Sequence, residues 1–178
     1  YMTGTQIGGR MVTSRGIQAM VYWGGGVNAL AGILMLGLAL GGALARRLVP
    51  ASAGVPGALR AYALLEVGAA AWAALFPLWL ALASPLVLLG RGPGMLVAAA
   101  VLLVPSTCLG ATWPVLARFA GASGATGLYA ANTTGAVAGT LAATFALLPA
   151  VGVRATELGA SGLGLAVAAG AWWLSREP

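Results

Sequence analysis

The sequence contains no aspartate, no lysine and no histidine, and one cysteine, Cys108. Its only acids are Glu66, Glu157 and Glu177, and all nine basic residues are arginine. General acid–base catalysis, hydrolytic triads and protein-bound metals draw mainly on the missing residue types. No catalytic, cofactor-binding or metal-ligating residue is therefore expected in the chain. A single cysteine excludes an intrachain disulfide and a CxxC site; lying in an apolar run, Cys108 reads as a small core residue.

Charge of either sign is scarce, at 7% of 178 residues, where a soluble domain carries roughly a quarter. Hydrophobic residues make up 60%, there are 28 glycines, and the mean hydropathy is +0.95. The net charge of +6 does not form a basic face, because the arginines stand singly or in pairs between apolar stretches. That spacing argues against nucleic acid as a partner and for a lipid bilayer. The chain begins at Tyr1 without a signal-peptide pattern, so a missing N-terminal part is expected.

A bilayer core of ~30 Å takes about 20 apolar helical residues. Five runs meet that length approximately, at 17–45, 61–83, 94–117, 128–149 and 158–174. The expected fold is thus all-α: a polytopic transmembrane helix bundle of about five spans, forming one domain with a partial N-terminal segment over residues 1–16. The first run is too long for an upright span and is expected to tilt, or to break at Gly24, Gly25 and Gly26. Pro77 lies inside the second run, and Pro105 and Pro114 are expected to kink the third, with Ser106, Thr107 and Thr112 satisfying freed carbonyls. Tyr22, Trp23, Tyr62, Trp79, Trp113, Tyr129, Trp172 and Trp173 fall near span ends, where interfacial aromatics are favoured.

Arg46, Arg47, Arg60, Arg118 and Arg176 fall on one side of such a bundle, and Arg10, Arg15, Arg91 and Arg154 on the other. Five against four is a weak bias, but the densest loop, 46–60, is assigned to the cytoplasm with the C-terminus.

Few polar residues enter the spans. Glu66 is the one acid inside an apolar run, which makes it a candidate functional position. A structural ion pair with Arg47, Arg60 or Arg118, all expected on the same side, is the competing reading. In the fourth run Tyr129, Asn132, Gly135 and Gly139 recur at helical spacing. Gly135 and Gly139 form a GxxxG pair of the kind that lets two helix backbones approach in lipid, with Asn132 able to hydrogen-bond across the contact. Helix packing is the expected role of that face, and contact with substrate the alternative. Arg154 and Glu157 are expected to form an exposed pair.

Four blocks resemble the spermidine synthase-like multi-pass membrane proteins: LMLGLALGGALARR (Leu34–Arg47), RAYALLEVG (Arg60–Gly68), VPSTCLGATWPVLAR (Val104–Arg118) and, most specifically, GLYAANTTGAVAGTLAATFALLPAVGVR (Gly127–Arg154). In that family a major-facilitator-like membrane segment precedes a cytoplasmic aminopropyltransferase domain. Residues 1–31 match poorly, and neither the family's first glutamate-bearing span nor its catalytic domain is represented. The ARR turn at Ala45–Arg47 looks like a degenerate facilitator loop motif without its acidic member. The resemblance implies a bacterial inner membrane protein, non-catalytic by itself, serving as a membrane anchor or small-substrate conduit. Two alternatives remain: an accessory subunit, packing against other membrane subunits or a second copy, and a secondary transporter of a small cationic solute.

Overall fold

The computed structural model describes residues 14–88 and 91–177, and every element among them is helical. The expected segment over residues 1–16 lies almost wholly outside the described residues. The elements are α1 (Ser14–Leu48), a short 3-10 turn (Ala51–Ala53), α2 (Gly54–Ala74), α3 (Phe76–Leu88), α4 (Arg91–Ala142), a π-helical turn (Ala143–Leu147) and α5 (Leu148–Leu174). Three helical stretches, Gly25–Arg47, Gly92–Gly121 and Ser123–Leu174, are long and apolar enough to cross a membrane, with a fourth candidate in the bent pair α2–α3.

Several expected boundaries are corrected. α1 does not break at Gly24–Gly26; it is helical over 35 residues, about 52 Å at 1.5 Å per residue, so its excess length is accommodated without a kink there. The second run is not one helix: α2 ends at Ala74, and α3 leaves it at 57°. Pro77 explains the break, because it has no N–H for the Ala73 carbonyl and its ring crowds that position. Trp79 braces the bend by stacking on Trp72 at 4.2 Å and donating from Nε1 to the Trp72 carbonyl at 3.1 Å.

The third run carries both prolines within continuous helix. Pro105 leaves the Val101 carbonyl without its helical donor. That carbonyl accepts instead from Trp72 Nε1 on α2, at 2.9 Å. Ser106 and Thr107 donate to Leu102 and Leu103, so the anticipated hydroxyl rescue of the carbonyl freed by Pro105 is supplied by an indole.

The real interruptions in α4 and α5 are glycines. Gly121 (φ 68°, ψ 177°) and Gly152 (φ 79°, ψ 173°) lie in a region essentially restricted to glycine. Trp113 and Tyr129, 16 positions apart, would stand about 24 Å apart on a straight helix. Their rings meet edge to face at 5.7 Å, so the chain doubles back at Gly121. The Ala143–Leu147 π turn ends just before Pro149, which has no N–H to give the Phe145 carbonyl.

Packing directions follow from residue pairs. Gly37 and Gly41 of α1 meet Ser106 and Gly110 of α4, and Arg118 reaches Val49, with numbers rising together, so these helices run parallel. Between α2 and α5 the pairing runs from Arg60 with Ser175 through Ala70 with Gly164 to Ala74 with Arg154, which is antiparallel. α2 is also antiparallel to α4, since Gly68 faces Cys108 and Trp72 faces Val101.

The distribution of residue size is inverted relative to a water-soluble bundle. Among the described residues, every buried hydrophobic residue apart from Val49 and Val115 is alanine, while leucines, Met35, Phe145 and Trp173 stand exposed. Small residues inside allow the backbones to close, and large apolar residues outside suit a hydrocarbon surround.

Candidate functional site

Glu66 lies two-thirds of the way along α2, where that helix is in contact with both α4 and α5. Tyr62 lies one turn earlier on the same face of α2. Gly164 of α5 is so close that a methyl group there would stand 3.9 Å from Glu66 Oε2 and 3.3 Å from Ala70 Cβ. On the α4 side, Cys108 Sγ packs against Gly68, 3.6 Å from where a Cβ would stand. Cys108 is half-buried and free, in keeping with a small packing residue.

None of the expected arginine partners reaches Glu66. Among the described residues the one ion pair is Arg154 to Glu157, at 3.0 Å. Arg60, Arg118 and Arg154 are committed elsewhere by a rule that hydropathy does not reveal. Helix C-termini leave carbonyls without intrahelical donors and carry partial negative charge. Arg118 donates to the Val49 carbonyl just past α1 at 2.9 Å, Arg60 to the Ser175 carbonyl at the end of α5 at 3.5 Å, and Arg154 to the Ala74 carbonyl ending α2 at 3.1 Å. Each guanidinium thus caps a neighbouring helix. Arg47 is exposed at the end of α1.

The same contacts place Arg60, Arg118 and the C-terminal turn at one end of the bundle with the 49–53 connection, and Arg154 at the other. For these three arginines that is the grouping the pattern predicts, while Arg10 lies outside the described residues.

A second polar cluster lies along the α2–α5 seam. The Arg154–Glu157 pair is less exposed than the sequence implies, because the Glu157 side chain is only 16% accessible. Its Oε2 accepts from Arg154, whereas Oε1 is buried without a partner. Ser161, one turn further along α5 and 5% exposed, also has a buried Oγ without a partner. Neither atom stands out in the sequence, since a serine in an alanine-rich helix usually bonds back to its own backbone. Among the described residues there is no group of three metal-ligating side chains.

The face that carried the strongest packing expectation is unpartnered among the described residues. Gly135 and Gly139 have nothing within 4 Å of a built Cβ, and Asn132 and Tyr129 are exposed. Tyr129 touches Trp113, but no other described helix covers the Asn132–Gly139 face. The close backbone approach occurs instead between α1 and α4, at Gly37 and Gly41 against Ser106 and Gly110. The same small-xxx-small spacing was present at those positions, so the signal existed, but spacing alone does not say which such helix finds its partner in the same chain.

No family model, curated protein or solved structure matches the chain.

Proposed function

We propose that the chain is a five-span integral membrane module, non-catalytic by itself, that anchors a spermidine synthase-like protein in a bacterial inner membrane and offers a small-solute conduit at the α2–α4–α5 junction. The observation that carries the membrane reading is the inverted burial, with alanine and serine inside and leucine outside. The family part rests on the four sequence blocks. The five crossings rest on Gly121 and Gly152, which divide the long helical stretches into lengths matched to a bilayer, together with the bent pair α2–α3 as one crossing. The arginine-rich end, with the C-terminus, faces the cytoplasm in this reading.

Cysteines introduced one at a time at Ser52, Ser123, Glu177, Gly92 and Ala155, in a Cys108→Ser background, test the crossings with an impermeant thiol reagent on oriented vesicles. The first three are expected to label from one side and the last two from the other. A single crossing from 123 to 174 places Ser123 and Glu177 on opposite sides, and that outcome defeats the five-span reading.

The uncovered Asn132–Gly139 face favours a second reading, in which this helix packs against another subunit or a second copy. An asparagine amide facing hydrocarbon without a partner is costly. A cysteine at Gly139 is expected to form a disulfide-linked dimer in vesicles if the partner is a second copy. Exclusively monomeric product, with no other polypeptide cross-linked, removes this reading.

A further inference from the structure

We propose that the arginine-rich end of the α2–α5 seam seats one anionic phospholipid, with an acyl chain in an apolar groove and the phosphate on Arg176. The groove has a volume of about 330 Å³ and runs between the two helices. Its floor is alanine: Ala63 of α2 and Ala168 of α5 are each 2% exposed where the helices touch. Larger side chains rise on both sides, Leu64 and Val67 from α2 and Leu165, Trp172 and Trp173 from α5. A trough results, because alanine does not fill the space between its larger neighbours.

Length identifies the occupant. Leu165, Ala168, Trp172 and Arg176 lie three or four positions apart, so the groove follows one face of α5. From position 165 to position 176 it extends about 16 Å at 1.5 Å per residue. That is one leaflet of a hydrocarbon core ~30 Å thick. A partner helix crosses both leaflets and would need a groove of twice that length, whereas an acyl chain needs only one.

Charge identifies the headgroup. The lining is apolar except at its mouth, where Arg176 is the one charged residue. Exposed Trp172 and Trp173 stand beside it, at the level where indoles settle between hydrocarbon and headgroups. Arg60, Arg118 and Arg154 are engaged at helix C-termini, but the Arg176 guanidinium has no hydrogen bond or ion pair among the described residues. Arg46, Arg47, Arg60 and Arg118 share this end with it, against Glu177. A guanidinium presents paired donors to a phosphate, and basic pockets between membrane helices bind acidic lipid headgroups. Such a seat requires that α5 end at a membrane interface, so it rests on the membrane reading and not on the conduit, the family or the number of crossings.

The test places the purified full chain in phosphatidylcholine vesicles containing a small fraction of brominated lipid, with tryptophan fluorescence as the readout. Bromine on an acyl chain quenches an indole it touches, and two indoles line the groove. Brominated phosphatidylglycerol is expected to give half-maximal quenching at about one-fifth the mole fraction that brominated phosphatidylcholine requires, the preference conferred by one arginine at an anionic surface. Arg176→Gln changes an exposed, unpaired side chain and is expected to remove that preference. Arg46→Gln loses the same charge at the same end but outside the groove, and is expected to change the preference by less than about twofold once salt screens distant charges. Ala169→Phe fills the groove from an exposed position and is expected to weaken quenching by both lipids. Inorganic phosphate, which has the charge without the chain, is expected not to restore the fluorescence. Equal quenching by the two lipids in the parent overturns the proposal, as does a preference that survives Arg176→Gln. A preference lost equally in Arg46→Gln reduces the effect to diffuse attraction and overturns it too, and so does quenching untouched by Ala169→Phe or reversed by phosphate. A chain that fails to float with the vesicles refutes the membrane reading itself, whereas a floating chain without lipid preference refutes only the lipid seat.

Discussion

Replacing Gly110 with valine is expected to be among the most destabilising single changes in the chain, by at least about 3 kcal/mol, the upper range for overpacking a tight core. The obstacle is backbone. A Cβ on Gly110 would stand 2.5 Å from Leu38 Cα and 2.8 Å from the Leu38 carbonyl carbon, neither of which can rotate aside. Reciprocally, a Cβ on Gly41 would stand 2.6 Å from the Ala111 nitrogen. The two helices are therefore in backbone contact through both glycines, and either substitution has to drive α1 off α4. Separation would also loosen the cluster of Ala45, Val49, Ala58, Ala111 and Val115 and pull the Val49 carbonyl away from Arg118. The measurement is SDS-induced unfolding in mixed micelles of Gly110→Val and Gly135→Val side by side. Both changes introduce the same residue into a helix, but Gly135 has open space around it, so its loss should be at most about 1 kcal/mol, within the usual range for exposed substitutions. Equal losses for the two variants would show that the α1–α4 contact is not the source of stability assigned to it.

How far the sequence foretold this arrangement depends on which physical property each feature reports. Hydropathy reports only the solvent, and it located the apolar helices well because lipid selects for long uninterrupted runs. It misplaced their ends wherever a helix continues past a polar residue. Residues 118–127 read as a loop because of Arg118, Gly121, Ser123 and Gly124, yet the backbone is helical on both sides of Gly121. One residue with positive φ suffices to turn the chain, and a lone glycine in a glycine-rich sequence carries no mark to distinguish it from Gly127 or Gly135. The bend at Leu75 was marked by Pro77, but the indole that supports it was not, because the carbonyl freed by Pro105 and the donor on Trp72 are 29 residues apart.

Of the polar side chains along the α2–α5 seam, only Glu66 was legible as a candidate. Glu66 is conspicuous as an acid in an apolar run, whereas Glu157 looked like half of a surface pair and Ser161 like filler. Tertiary packing turned both inward. The arginines illustrate the same limit from the other side. The positions of Arg60, Arg118 and Arg154 gave their division between the two ends of the bundle, since that depends on where the chain turns. Their partners could not be read, because the carbonyls of Val49, Ala74 and Ser175 become acceptors only where helices end. With Arg60 and Arg118 held at those ends, neither pairs with Glu66, which lies where α2 meets α4 and α5.

Gly152→Val is the second substitution with a large expected effect, and it acts through conformation and not through crowding. No atom lies within 4 Å of a built Cβ at Gly152, so space is freely available. The backbone, however, sits at φ 79° and ψ 173°, where a β-branched side chain is strained by about 3 kcal/mol, the upper end for such outliers. The chain can relieve the strain by straightening into one helix from 123 to 174, whose 52 residues would extend about 78 Å, more than twice the thickness of a bilayer core. Straightening also removes Arg154 from the Ala74 carbonyl and draws Glu157 and Ser161 out of the α2–α5 seam. The variant is therefore expected to lose stability in detergent by about 3 kcal/mol and, in vesicles, to expose a cysteine at Ser161 to a thiol reagent that does not reach it in the parent. Gly159→Val supplies the control, because that glycine also has open space but lies within regular helix. Were Gly159→Val as damaging as Gly152→Val, the loss would stem from a bulky residue on α5 in general, and the turn at Gly152 would not be what holds α5 against α2.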